Sequence, residues 1–209
     1  MGEAASIMRT FAVLAVSCWS GFLVMALELL SGRILAPTFG SSIYVWGAVI
    51  TVFMVALSVG YLVGGRISLL SPSLGRLALL HLVSGILLLP IMVAAIPVLD
   101  SIFTITDDPR TGALLASLVL FFLPAMVCGC VSPVAIKLLI KDVQKAGFYA
   151  GLQYFFSTFF SAAGTLLTSF YFVLIFEVNE ILWLLFGVTA AMAALAFTIS
   201  KTSPAPEAA

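Results

Sequence analysis

Apolar residues follow one another along most of this chain in runs of about twenty, the length of an α-helix that crosses a bilayer core. Short polar or turn-forming segments separate these runs. We therefore expect six transmembrane helices, at residues 11–30, 43–63, 77–98, 114–136, 147–173 and 181–199. Residues 1–200 form one predicted transmembrane domain. Residues 201–209, rich in Pro and Ala, form a predicted disordered tail.

Composition supports this prediction and excludes other classes. With 63% hydrophobic and 9% charged residues, the chain has too little polar surface for a soluble domain. It has no basic patch dense enough to bind nucleic acid. No Ser-His-Asp set, glycine-rich nucleotide turn or metal-ligand cluster is apparent, so we expect no enzyme activity, cofactor or metal. The sequence predicts an all-α polytopic membrane protein whose first segment is a retained helix rather than a signal peptide.

Basic residues are sorted between the two sets of loops. One set holds Arg9, Arg66, Arg76, Lys137, Lys141, Lys145 and Lys201, whereas the other holds only Arg33 and Arg110. Because Lys and Arg are enriched in cytoplasmic loops, both termini are predicted to be cytoplasmic, in a bacterial-type inner membrane. The opposite side carries Asp100, Asp107, Asp108, Glu177 and Glu180. These acids either attract a cationic ligand or merely occupy exported loops that lack basic residues.

The first three predicted spans resemble the last three. Small residues recur along the second span and again along the fifth, as in helices that pack closely: Gly47, Thr51, Ala56, Gly60 and Gly64, then Gly147, Gly151, Ser157, Ser161 and Thr165. The first and fourth spans each end in a Gly/Ser/Pro interruption, at residues 31–37 and 128–137. Since three helices per unit reverse its orientation, we expect two inverted three-helix repeats. The plain alternative is that small residues and Pro are common in transmembrane helices.

Glu28 is the principal candidate site residue. A carboxylate inside an apolar run is costly, which makes it a functional hypothesis by default. Ser31, Gly32 and Pro37 follow, and we expect the helix to open there and leave irregular backbone beside the acid. Arg33 is also a candidate: on an unbroken helix it would not share the face of Glu28, but the break could bring the two together as a structural pair.

Six further residues are candidates for substrate binding. Gln153, Tyr154 and Ser157 form a polar face on the fifth span, which either lines a ligand or makes hydrogen bonds between helices. The aromatic residues Tyr44, Trp46 and Tyr61 either contact an ammonium ligand through their rings or act as interface and packing residues. His81 is interpreted as a helix-end or interface residue rather than a proton carrier.

Four segments resemble the membrane part of the fused MFS/spermidine synthase family: GRILAPTFGSSIYVWGA, GYLVGGR, FFLPAMVCGCVSP and AGLQYFFSTFFSAAGTLLT, spread over most of residues 25–170. The resemblance implies half of a major-facilitator-like body. In that family a soluble aminopropyltransferase-like domain commonly follows, and we expect this chain to be a stand-alone membrane part without it. GYLVGGR is also similar to the facilitator loop motif at Gly60, Gly64, Gly65 and Arg66, without its acidic residue.

These observations favour a membrane transporter for a small cationic metabolite, and the resemblance suggests a polyamine. Glu28 would hold an ammonium group or exchange it for a proton while the interrupted helices rock to give alternating access. A homodimer would supply the second half of the body. The main alternative is a non-transporting membrane scaffold that docks a separate soluble aminopropyltransferase-like synthase. A third interpretation is lipid handling, with Arg33 binding a headgroup phosphate.

Overall fold

The computed structural model describes residues 2–70, 72–140 and 142–202, with side chains from residue 6 onward. Regular structure in these ranges is helical throughout. The α-helices are α1 (Gly2–Phe39), α2 (Ile43–Leu69), α3 (Leu74–Ile86), α4 (Leu89–Ile105), α5 (Pro109–Leu139), α6 (Ala146–Leu167), α7 (Val173–Ile175) and α8 (Val178–Thr202). A 3-10 turn, Val143–Lys145, precedes α6, and a π-helical segment, Thr168–Phe172, joins α6 to α7.

These helices make six segments that are long and apolar enough to cross a membrane. The third is α3 together with α4, and the fifth runs from Val143 to Ile175. The prediction of six spans is confirmed, and the protein is an all-α polytopic membrane protein. α8 continues to Thr202, two residues into the predicted tail. The rest of that tail, residues 203–209, lies outside the described residues.

The predicted opening of the first span is wrong, because α1 is a continuous helix through Ser31, Gly32 and Pro37. The hydroxyl of Ser31 donates to the Glu28 carbonyl at 2.6 Å, and Gly32 lies directly beneath the indole of Trp46. A helix satisfies backbone groups internally, which lipid cannot do, so the chain stays helical past its Gly and Pro.

The predicted interruption at residues 128–137 is wrong for the same reason. α5 is continuous and includes Pro124 and Pro133. The observed departures from α-helix lie elsewhere, at the turn formed by Leu87 and Leu88 and at the π-helical segment Thr168–Phe172. They fall in the third and fifth spans. The third and fifth spans do not correspond to each other in the two three-helix units, so the observed interruptions do not support the predicted repeat.

The pairing of helices does follow the predicted repeat. The most extensive packing is between α2 and α5, and the next is between α1 and α6. When the first three spans are matched in order to the last three, α1 corresponds to α5 and α2 to α6. The pair α2–α5 therefore corresponds to the pair α6–α1. By the same matching, the packing of α3 on α5 corresponds to the packing of α8 on α1, and the structure has both contacts. Because successive spans reverse direction, the two three-helix units are inverted.

Small residues form the closest crossings, although not all of those predicted. On α2, Gly60 and Gly64 lie against the α5 backbone, and a Cβ on Gly64 would lie 2.6 Å from Cys130 Cα. On α6, Ser157 packs against Gly21, and Gly164 packs against the backbone of Phe22. The prediction was wrong for Gly47, Gly147 and Gly151, because beyond its own turn of helix a Cβ there would meet no atom of the described residues within 4 Å.

Two apolar clusters lie along the bundle, with a polar level between them. The larger cluster includes Phe53 and Phe121, whose ring centroids are 6.1 Å apart. The smaller includes Leu77 and Val134. α1 contributes to the smaller cluster up to Val16 and to the larger from Phe22. The buried serines Ser17 and Ser20 therefore lie at the junction, where the candidate site is found.

Candidate functional site

A partly open cavity of about 100 Å³ lies where α1, α2, α5 and α6 meet. Its polar lining residues are Ser20, Tyr61, Cys128, Ser132, Ser157 and Ser161. Small and apolar residues of α1, α2 and α5 complete the wall. Five hydroxyls, four of Ser and one of Tyr61, converge here among helices that are otherwise apolar. The few convergent polar groups of the cavity are typical of small-ligand pockets, and its volume of about 100 Å³ is smaller than the roughly 300–1,000 Å³ of pockets that hold drug-sized ligands.

Hydrogen bonds fix several of these hydroxyls. Ser20 Oγ donates to the Cys128 carbonyl at 3.4 Å, and Ser161 Oγ donates to the Ser157 carbonyl at 2.9 Å. Each hydroxyl that donates to the backbone keeps lone pairs that can accept from a ligand. The cavity therefore offers several uncharged hydrogen-bond acceptors.

Gln153 lies behind this wall and is fully buried. Its Nε2 donates to Ser132 Oγ at 3.3 Å, whereas its Oε1 has no partner among the described residues. Rotating the amide by 180° would leave the nitrogen unpaired instead, so one polar atom is unsatisfied in either orientation. The structure thus brings Gln153, Ser157 and Tyr61 to the cavity or its wall. All three were candidates from the sequence.

Glu28 lies one helical turn beyond the cavity on the same face of α1. Ser20 and Val24 line the cavity, and Glu28 follows them at the four-residue spacing that keeps side chains on one face. Its side chain is partly buried and, in the part of the chain that the structure describes, has no hydrogen-bond or ion-pair partner. An unpaired acid therefore lies one helical turn from a hydroxyl-lined cavity and is not itself one of the lining residues.

Arg33 does not pair with Glu28 and does not line the cavity. Its Nη1 donates to the Val173 carbonyl at 3.0 Å, which ties α1 to α7. Helix α7 ends immediately afterwards, and the Glu177 amide donates to Glu180 Oε2 rather than to a helical carbonyl. Arg33 therefore satisfies a carbonyl that the end of the helix leaves free.

Tyr44, Trp46 and Tyr154 also lie away from the cavity wall. The guanidinium carbon of Arg110 lies 4.1 Å from the ring centroid of Tyr44, so this ring already binds a cation of the same chain. Trp46 packs on Gly32 of α1. Tyr154 is exposed and lies near Tyr61.

Four polar lining residues were not site candidates from the sequence: Ser20, Cys128, Ser132 and Ser161, the last of which was predicted only as a packing residue. Their signal is weak, because a lone Ser in a transmembrane helix can bond its own backbone and Cys behaves as a small apolar residue. Only the meeting of four helices distinguishes them.

His81 also differs from its interpretation as a helix-end or interface residue. It lies inside α3 with no exposed surface, and neither ring nitrogen has a hydrogen-bond partner among the described residues.

Comparison of the chain with family models, curated proteins and solved structures gives no match. The class of protein therefore rests on the fold, a six-span helical membrane protein with a polar cavity between its two halves. The resemblance to the fused MFS/spermidine synthase family remains a prediction.

Proposed function

We propose that this protein transports a small cationic solute across the membrane, with Glu28 as the cation or proton site. One observation carries the proposal: an unpaired, partly buried carboxylate lies on the same face of α1 as a hydroxyl-lined cavity and one turn from it. Ionisable residues in transmembrane segments that face a cavity commonly mark ion and substrate pathways.

The chemistry of the site suits an ammonium group. A carboxylate in a low-dielectric setting is costly without a counter-charge, so it binds either a cation or a proton. The serine hydroxyls and the Tyr61 hydroxyl can accept hydrogen bonds from the N–H groups of the solute. If the solute and a proton bind Glu28 alternately, transport of the solute is coupled to transport of the proton. A polyamine is named as the solute only because of the family resemblance.

A second copy of the chain is the proposed cover for the cavity. The cavity lies in a groove over α1 and α5, flanked by α2 and α6. Its lining residue Tyr61 is about half exposed, and so is Tyr154, which is outside the lining. Lipid offers no hydrogen bonds to hydroxyls, so the groove needs a polar or protein cover. A second six-span unit would supply it. Disulfide cross-linking of Tyr154→Cys in membranes tests this dimer, and a monomer in the bilayer would contradict it.

Orientation is proposed from the sorting of basic residues, with both termini cytoplasmic in an inner membrane. Two of the five acids on the opposite side have structural roles. Asp108 caps α5, accepting from Thr111 N and Oγ1, and Glu180 accepts from the Glu177 amide. The Thr111 hydroxyl and amide also hold the pKa of Asp108 below its usual value. These contacts favour the plain explanation for the two acids over an electrostatic funnel.

The test is uptake of labelled amines into proteoliposomes. Glu28→Gln keeps the shape of the side chain and removes its charge, and we expect uptake to fall at least tenfold. Glu177→Gln, an exposed acid away from the cavity, is the matched control and should transport normally. Wild-type uptake by Glu28→Gln would contradict the proposal. No uptake by any variant, together with capture of a soluble synthase by the purified protein, would favour the scaffold instead.

A further inference from the structure

We propose that His81 is a proton-binding site that communicates with the cavity through Ser84 and Cys128. His81 is the only histidine in the sequence. It lies near the middle of α3, has no exposed surface, and both Nδ1 and Nε2 are without hydrogen-bond partners in the described part of the chain. The transport mechanism proposed above does not use it.

The unpaired imidazole contrasts with the buried polar groups around it. Ser84 Oγ donates to the His81 carbonyl at 2.7 Å, Thr189 Oγ1 donates to the Leu185 carbonyl at 2.7 Å, and Trp19 Nε1 donates to Thr189 Oγ1 at 2.8 Å. A neutral imidazole has one donor and one acceptor nitrogen, and burying both unpaired is unfavourable. A group with this unused capacity at the polar level of the bundle is placed to take up a proton or water.

A line of polar side chains from three helices leads from the cavity towards His81. Ser20 on α1 and Cys128 on α5 line the cavity. Ser20 Oγ donates to the Cys128 carbonyl at 3.4 Å, and α5, which carries Cys128, packs on α3, which carries Ser84. Ser84 follows His81 by three residues on α3 and so lies on the same side of that helix. We name Ser20, Cys128, Ser84 and His81 the polar seam.

The helices packed against α3 are α1, α5 and α8. The thiols on these three helices are Cys18, Cys128 and Cys130. Their charged side chains, among the described residues, are Arg9, Glu28, Arg33, Arg110, Lys137, Glu180 and Lys201. The charged side chain on α3 itself is Arg76. On α8 the buried residues that follow Thr189 are Ala193 and Ala196, which cannot accept a proton. α3 carries no acid. A proton on His81 would therefore lack a neighbouring counter-charge on its own helix, and proton binding should accompany a rearrangement that admits water to the polar seam.

The single histidine makes this directly measurable without a substrate. In protein labelled with ¹⁵N-histidine and reconstituted in liposomes, solid-state NMR reports the protonation state of one imidazole. We expect imidazolium signals to grow beside the neutral ones as the pH is lowered from 8 to 5. One neutral tautomer, unchanged across that range, would overturn the proposal. Because the measurement needs no transport, its failure is distinguishable from failure of the transport proposal.

The link to the cavity has its own test. In a Cys18→Ala/Cys130→Ala background, a thiosulfonate reagent attaches an ethylammonium group to Cys128. A cation beside the polar seam disfavours the charged imidazole. We expect the imidazolium fraction at a fixed acidic pH to fall severalfold after this modification. Protein that also carries Cys128→Ala is the matched control and should not respond. Failure of the reagent to modify Cys128 from the cavity, or an unchanged imidazole spectrum in the modified protein, would remove the link.

Discussion

At the scale of single residues, Glu28 combines two properties that a structural acid rarely has. Its carboxylate is partly buried on a transmembrane helix, and it has no polar partner among the described residues. Such a group destabilises the fold unless it serves a ligand or a proton. A site of this kind should lower the free energy of unfolding of the protein while it serves its function.

Removing that charge should therefore stabilise the protein while it impairs transport. We expect Glu28→Gln to raise the melting temperature in detergent by a few degrees, because the substitution removes a poorly solvated charge and breaks no hydrogen bond or ion pair within the described ranges. Thermal unfolding of wild type and variant measures this difference. A lower melting temperature for Glu28→Gln would show that the carboxylate has a structural partner and would contradict its assignment as an open site.

At the scale of elements, the crossing of α2 and α5 holds the cavity together. Gly64 lies against the α5 backbone at Cys130, and Gly129 lies against the α2 backbone near Leu57 and Gly60. Without a hydrophobic driving force between helices in lipid, such close backbone packing supplies much of the association. The sequence predicted this face of α2 from its small residues. The same reasoning was wrong for Gly147 and Gly151, because spacing does not show which glycines face a neighbouring helix.

Alanine substitutions at two adjacent glycines, Gly64 and Gly65, distinguish the effect of helix packing from the effect of helix propensity. Gly64→Ala would place Cβ 2.6 Å from Cys130 Cα, whereas Gly65→Ala meets no atom within 4 Å. We expect Gly64→Ala to destabilise the protein by about 1–3 kcal/mol through overpacking. Gly65→Ala should be neutral or stabilise it by up to about 1 kcal/mol through its better helix propensity. Unfolding measured in mixed detergent–denaturant solutions gives both values. Equal effects would contradict the close crossing.

At the scale of the whole molecule, the number of spans and the inverted pairing could be predicted, because hydrophobic length and odd repeat size determine both. The continuity of α1 and α5 could not, since Pro and Gly only permit a break. The site was partly predictable. Glu28, Gln153 and Ser157 were identified as polar exceptions in apolar runs, and Tyr61 as an aromatic ring that could contact an ammonium ligand. Ser20, Cys128 and Ser132 acquire their meaning only when four helices meet.

The measurement that tests the central claim most directly is protection of Cys128 by an amine substrate. In the Cys18→Ala/Cys130→Ala background, we expect a cationic thiosulfonate reagent to label Cys128 from the cavity, and an amine that is transported to slow that labelling severalfold. Glu28→Gln should abolish the protection while leaving the labelling itself intact. A Cys128 thiol that the reagent does not label, labelling that no amine slows, or protection that survives in Glu28→Gln would contradict a cation site formed by the cavity and Glu28.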